Sequence, residues 1–336
     1  MKLSHGKIPV DLLKEVVFKN LGVERPEVIL GPSAGIDGAV IEVGDRSLIV
    51  SIDPITGAIE RIGWLAVNVN ANDVATFGVE PAFLFSCILL PEGADRSIVE
   101  TICVQMDNAA RKLGMAIAGG HCEVTPELTS PIVVGCAVGI AEKGKYVTAG
   151  GARNGDKLIL TKSAGIEGTA ILASDREKQL AEAMGIKTLQ KAKDFFSQIT
   201  VVEDAITAFK AGGVDAMHDP TEGGIIGGIY EMAEASNLGV RIVEEKIPVR
   251  PETASICKFF KINPLQLVSS GALLIAAKPN AANSIIEKLK QKNIHASIIG
   301  DFLEDRQNRT IVARNGRTQA LPKPASDHLW LALARS

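Results

Sequence analysis

The sequence has few aromatic residues, 4% of 336, with only two Trp and two Tyr, so a core must be built from Val, Ile, Leu and Ala. Such a composition suits sheets covered by helices. Neither sign of charge dominates: 36 Lys and Arg stand against 39 Asp and Glu, a formal charge of -3. That balance excludes a basic footprint for nucleic acid and a basic face for anionic lipid. The five cysteines are an odd set without a CxxC pair, and four of them sit in apolar runs. They read as reduced thiols rather than a disulfide framework or zinc ligands. No uncharged run reaches the roughly 20 residues that a membrane-spanning helix needs, and Met1 to Lys7 has no apolar signal core. The expectation is a cytoplasmic protein with no membrane partner.

Several phosphate-binding signatures are also missing. No GxxxxGK[ST] loop and no GxGxxG occurs, and kinase signatures are absent. Gly31-Pro32-Ser33-Ala34-Gly35 does match the GxSxG pattern of a hydrolase elbow. That chemistry needs a strand, a sharp turn and a helix, whereas Gly35 leads into a strand, so Ser33 reads as a turn residue. Asn308-Arg309-Thr310 fits a glycosylation acceptor only by chance in a reduced compartment.

Apolar spacing predicts helices over 9–21, 59–77 and from Asp95 to Gly114, and strands at 39–43, 48–52, 82–90, 115–118 and 132–140. The Gly-rich stretch 144–155 reads as a linker, placing a boundary near residue 150 and two domains at 1–150 and 151–336. The second half offers a strand at 157–161, helices near 168–173, 188–196, 202–210 and 224–235, strands at 240–243 and 273–277, and a last helix at 281–290. Strands and helices mix without strict alternation, so each half is expected to be α+β.

The chemistry is carried by four aspartates, each beside a backbone punctuator at the end of an apolar run: Asp37, Asp53, Asp73 and Asp219. Each alone could simply cap a turn or helix. The segment Asn68-Val69-Asn70-Ala71-Asn72-Asp73 is harder to explain that way, because three Asn in five residues are poor helix formers. Asn68 and Asn72 lie four apart on one face beside Asp73, as a metal or phosphate patch needs; a buried polar interface between subunits is the alternative. Carboxylates gathered at ~5 Å repel by about 3 kcal/mol per pair at an effective dielectric of ~20, so a cation should bridge them. Mg²⁺ suits carboxylate and phosphate oxygens. Gly119-Gly120-His121 and Gly223-Gly224 are expected in turns open to phosphate, with His121 and His218 as proton carriers or as structural hydrogen-bonding groups.

Together these segments resemble the superfamily of aminoimidazole ribonucleotide synthetase, whose members include hydrogenase-maturation protein E, thiamine-monophosphate kinase and selenophosphate synthetase. Leu3-Ser4-His5-Gly6 is similar to its N-terminal glycine lip, and Gly35-Ile36-Asp37-Gly38-Ala39-Val40 to its Gly-Asp-Asp-Ala-Ala-Val strand. The helix from Leu65 to Ala75, with Gly78 to Pro81, is close to that of the maturation protein. Gly119-Gly120-His121 and Asp219-Pro220-Thr221-Glu222-Gly223-Gly224 resemble its later loops. The lip is shorter than the family's, Ile36 replaces the first Asp of the pair, and the last cysteine is Cys257, whereas the maturation protein uses a C-terminal one.

The resemblance implies two α+β domains with ATP in the cleft between them, and a homodimer whose N-terminal sheets form a barrel, the C-terminal mixed sheet being packed with helices. It implies Asp37, Asp53, Asp73 and Asp219 on Mg²⁺, and His5, Gly6, Lys7, Asn68, Asn72, Gly119, Gly120, Thr221, Gly223 and Gly224 around ATP. The activity it implies is transfer of the γ-phosphate to an amide- or carboxylate-type oxygen of a small molecule, releasing ADP. A nucleotide-binding assembly factor acting on a maturation partner protein is the other reading.

Overall fold

The computed structural model describes residues 8, 10–33, 35–57, 59–323 and 327–334, so the expected ATP contacts His5, Gly6 and Lys7 lie outside the described residues. In chain order the elements are α1 (Val10–Glu15), β1 (Val28–Leu30), β2 (Ala39–Val43), β3 (Arg46–Ile55), α2 (Ile62–Thr76), β4 (Pro81–Leu90), α3 (Arg96–Leu113), β5 (Ala116–Val124) and β6 (Ile132–Glu142). There follow β7 (Lys157–Thr161), α4 (Ile166–Asp175), α5 (Glu177–Met184), α6 (Ile186–Lys193), α7 (Val202–Ala211), β8 (Val214–His218), α8 (Gly224–Ala235), β9 (Gly239–Val243) and α9 (Pro251–Phe260). The chain ends with β10 (Leu274–Ala277), α10 (Ala282–Gln291), β11 (Ala296–Leu303), β12 (Arg309–Val312), β13 (Thr318–Ala320) and α11 (His328–Leu333). Two compact units result: 25–31 with 37–146, and the remaining described residues, in which the segment up to Glu24 and 32–36 group with 147 onward.

The first unit is a six-stranded sheet in the order β1-β2-β3-β6-β4-β5, antiparallel except for β4 with β5. Helix α2 is buried along nearly its whole length, its polar residues included, so it is enclosed on every face rather than amphipathic. Glycines let it approach. A Cβ on Gly135 of β6 would lie 2.4 Å from Asn70 Nδ2, and one on Gly63 would lie 2.4 Å from the Ile102 carbonyl of α3. The N-terminus of α2 is capped from α3, where Gln105 Oε1 accepts from the Gly63 and Trp64 amides. Gly114, at φ 70°, ends α3 as its left-handed cap.

The second unit is a seven-stranded sheet in the order β13-β12-β9-β11-β7-β10-β8, with β12 and β9 parallel and every other pair antiparallel. Its core joins Leu158 and Leu160 of β7, Leu274 of β10, Phe302 of β11 and Ile225 and Ile229 of α8. A second cluster gathers Leu172, Leu189, Ile256, Phe260 and Leu329 from α4, α6, α9 and α11. Both units are α+β.

Three expectations are corrected. The helix over 9–21 stops at Glu15 and continues only as one 3₁₀ turn, Val17–Lys19, because neither piece buries a side chain that would hold it. Gly119-Gly120-His121 is not a turn but the middle of β5, in parallel register with Phe85, Ser86 and Cys87. The glycines serve that pairing: a Cβ on Gly120 would lie 2.2 Å from the Ser86 carbonyl. The strands β1, β8, β11, β12 and β13 and the helices α5, α9 and α11 escape the periodicity altogether. All five cysteines are free, and burial pushes the Cys257 thiol up to about 12. Among the described residues no helix is long and apolar enough to cross a membrane.

Candidate functional site

In the first unit, Ser51 of β3 links the Asp73 carboxylate of α2 to the backbone at Asp37, just before β2. The Ser51 hydroxyl lies 2.6 Å from Asp73 Oδ2 and 2.8 Å from the Asp37 carbonyl oxygen, so its single proton is shared between two acceptors. Asp73 is 4% exposed and Asp37 half-buried. Asp53 lies two residues on from Ser51 along β3, on the same face, as strand alternation requires.

The three asparagines divide the work. Asn68 and Asn70 fold their amides back onto the helix, donating to the Trp64 and Ala66 carbonyls at 2.8 Å each, which is how a poor helix former is housed in a helix interior. Asn70 also accepts from the Asp53 amide at 2.8 Å and donates to the Asp53 carbonyl at 3.3 Å. The reason lies in the sheet. Strand β2 pairs with β3 only as far as Val50, so beyond it the backbone of β3 lacks a neighbour on that side. The Asn70 amide replaces the missing strand and fixes Asp53. Asn72 is fully buried beside Asp73.

His121 is not part of this group. Asp53 pairs with Gly135, Gly135 with Ser86, and Ser86 with Gly120, so these four share the face that α2 covers. His121, the next residue, points to the opposite face, its side chain 64% exposed and bonded to Glu123 at 2.9 Å. Gly119 faces the same way, against Phe85.

In the second unit, β8 ends at His218 and the chain turns through Asp219 and Thr221 into α8. His218 and Asp219 are 2% and 1% exposed. His218 Nε2 bonds the Glu231 carboxylate of α8 at 3.0 Å. Gly223 and Gly224 adopt φ of 81° and 63°, and a Cβ on Gly224 would lie 2.7 Å from the carbonyls of Leu265 and Leu267. Their amides are engaged within the unit: Gly224 donates to the Thr221 carbonyl at 3.1 Å and Gly223 to Asp327 Oδ2 at 2.7 Å. These glycines therefore shape the turn with their backbone conformation.

Asp327 is a site residue that periodicity could not reveal. Its carboxylate accepts from Gly223, from Val268 at 3.2 Å and from Leu329 at 2.7 Å, tying the start of α11 to the loop. Burial pushes its carboxyl up to about 6, against the pull of those three bonds. Nearby, desolvation pushes Glu167 up to about 7, although the Ser270 hydroxyl donates to it; Asp327 and Glu222 raise it further. The one local signal that could have found Asp327 is an Asp placed to cap the helix that starts at His328; nothing local marks Ser51 or Glu231 as partners.

One unit thus holds a buried histidine–carboxylate pair and the other a set of oxygen donors around a buried aspartate. Family models match at 35–141, the AIR synthase related protein N-terminal domain, and at 153–313, the corresponding C-terminal domain. The chain belongs to that family. A protein of Methanocaldococcus jannaschii named for hydrogenase expression/formation is 30% identical over 321 residues, covering 92% of each chain. The carbamoyl dehydratase HypE of Rhizobium leguminosarum bv. viciae is 28% identical over 284 residues, 81% of this chain and 78% of that one. The solved structure of the hydrogenase maturation protein HypE in complex with ATP shares the fold, with TM-score 0.74, 21% identity and 97% of each chain covered.

Proposed function

We propose that this protein is an ATP-dependent, Mg²⁺-requiring enzyme that phosphorylates the oxygen of a primary amide and releases ADP. Relatives named carbamoyl dehydratase span most of the chain, which favours an amide over a carboxylate. The γ-phosphoryl group passes to the amide oxygen as ADP leaves. One N–H proton is lost as the O-phosphorylated imidate forms; the second is then lost as the C–O bond breaks and phosphate departs, so that amide and ATP become nitrile, ADP and phosphate. Phosphorylation turns a poor leaving group into a good one. Positioning and charge neutralisation supply the catalysis in such a step.

The observation that carries the proposal is the set of oxygen donors around Ser51: the buried Asp73 carboxylate and the Asp37 carbonyl, with Asp53 on the same strand face. An all-oxygen donor set fits a hard cation. Asp37, Asp53 and Asp73 are assigned to hold Mg²⁺, which when bound would neutralise phosphate charge. Asn72 and Thr221 are assigned to the nucleotide. His218, oriented by Glu231, is the group proposed to take the N–H proton. Exposed apolar side chains on the uncovered face of the first sheet, Ile52 and Phe85, support a homodimer in which a second copy covers them.

Incubation with ATP, Mg²⁺ and a panel of primary amides tests the activity. Amide-dependent ADP formation that Asp73→Asn abolishes is expected. No ADP above the ATP-only background with any amide, while nucleotide still binds, would replace this proposal with the assembly-factor reading.

A further inference from the structure

A cavity of about 390 Å³ lies in the second unit, lined by Tyr230 and Glu234 of α8, Asn237 just beyond it, Arg306, Arg309 of β12 and Lys323 after β13. Its volume is that of a small-molecule site. The lining places three cations against one carboxylate, in a chain whose net charge is -3.

The three cations are not equivalent. Arg309 is committed and rigid: Nη1 donates to Glu234 at 2.7 Å, Nε donates to the Leu238 carbonyl at 3.3 Å, and the guanidinium sits 4.7 Å from the centre of the Tyr230 ring. The bond from Arg309, with Lys14 and Arg306 adding at longer range, holds the Glu234 carboxyl below its ordinary value. Glu234 therefore stays ionised and neutralises Arg309. Arg306 instead donates to a neutral partner, Asn237 Oδ1, at 3.2 Å. The neighbouring Asp305 turns its carboxylate to its own loop, accepting from the Gln307 amide at 3.0 Å. Among the described residues, neither Arg306 nor Lys323 forms an ion pair with a carboxylate. Two positive charges thus border the cavity without a direct ion pair, Arg306 meeting Glu234 only at longer range, beside a fixed guanidinium and an aromatic wall.

We propose that this cavity binds a small dianion carrying phosphate or carboxylate oxygens, a phosphate monoester or a short dicarboxylic acid, held by Arg306 and Lys323. A guanidinium presents paired donors to such oxygens, and Lys323 adds a point charge to the same lining. The site stands apart from the proposed phosphoryl transfer and does not depend on it.

Isothermal titration of the full chain with succinate and, separately, with inorganic phosphate tests the inference. Saturable binding of at least one probe is expected, weakened about tenfold or more in the Arg306→Ala/Lys323→Ala double variant and by raising ionic strength from about 50 to about 500 mM. Both side chains are exposed, so an unchanged melting temperature verifies that the variant is folded. Retention of binding by Asp73→Asn separates this cavity from the nucleotide site. Stronger binding of phosphate assigns the ligand to phosphate esters, and stronger binding of succinate to dicarboxylates. No saturable binding of either probe, or equal binding by the double variant, overturns the proposal.

Discussion

Replacing Asn70 with Ala isolates the link between the helix of poor formers and the acidic site. The Asn70 side chain is fully buried and its amide holds both the N–H and the C=O of Asp53, where β3 has run past the end of β2. Truncation leaves the Asp53 amide without its acceptor, at about 1–3 kcal/mol, and removes packed atoms between α2 and Gly135. A total loss of about 2–4 kcal/mol follows, a large share of a typical domain's 5–15 kcal/mol. Urea unfolding reads the stability, and with a slope of about 2 kcal/mol/M the midpoint should fall by roughly 1–2 M. Hydrogen exchange locates the effect, because the Asp53 amide should exchange markedly faster while amides of the β3–β6 ladder near Leu48 are less affected. A change below about 0.5 kcal/mol with unaltered Asp53 exchange would refute the claim that Asn70 stands in for a missing strand.

Three further outcomes follow. Glu167 has its carboxyl raised from 4.5 to about 7, chiefly by desolvation, so the fold binds that proton more tightly than the unfolded chain does. Its contribution to stability is therefore fully present below about pH 4.5, falls as pH rises to about 7, and is level above. Glu167→Gln, which can still accept from Ser270, should be more stable than the parent at pH 8 by on the order of 3 kcal/mol and much closer to it at pH 4.5, measured by urea unfolding at both values. Gly224→Ala would force a Cβ to 2.7 Å from two carbonyls at φ 63°, so thermal unfolding should show a loss of about 2 kcal/mol or more. His218→Gln should lower kcat for the amide reaction at least about a hundredfold with nucleotide affinity nearly unchanged, as expected of a proton carrier rather than a phosphate ligand.

Where a signal is local, the sequence carries it well. The strand 157–161 and the helix 224–235 have their expected bounds because β7 and α8 are apolar runs bordered by glycine or by charge. The sacrifice of helix propensity at Asn68, Asn70 and Asn72 correctly marks a place where α2 does something besides pack, though the most active of the three, Asn70, is the one that composition alone gives no reason to choose. What was illegible depends on pairing at long range. The run 115–124 reads as a strand followed by a glycine turn because glycine lowers strand propensity, yet the close approach of Ser86 is what selects Gly120. His121 and Asp53 look equivalent along the chain; only the register through Gly135 and Ser86 puts them on opposite faces. Ser51, Glu231 and Asp327 acquire their roles from residues 22, 13 and 104 positions away.

The central claim, that Asp73 and its neighbours hold a metal-borne nucleotide, is tested most directly by calorimetric titration of ATP with and without Mg²⁺ on the parent and on Asp73→Asn. The account predicts affinity that rises at least tenfold with Mg²⁺ in the parent and loses that dependence in the variant, with no comparable loss of stability. Identical, Mg²⁺-independent titrations for both proteins would contradict it.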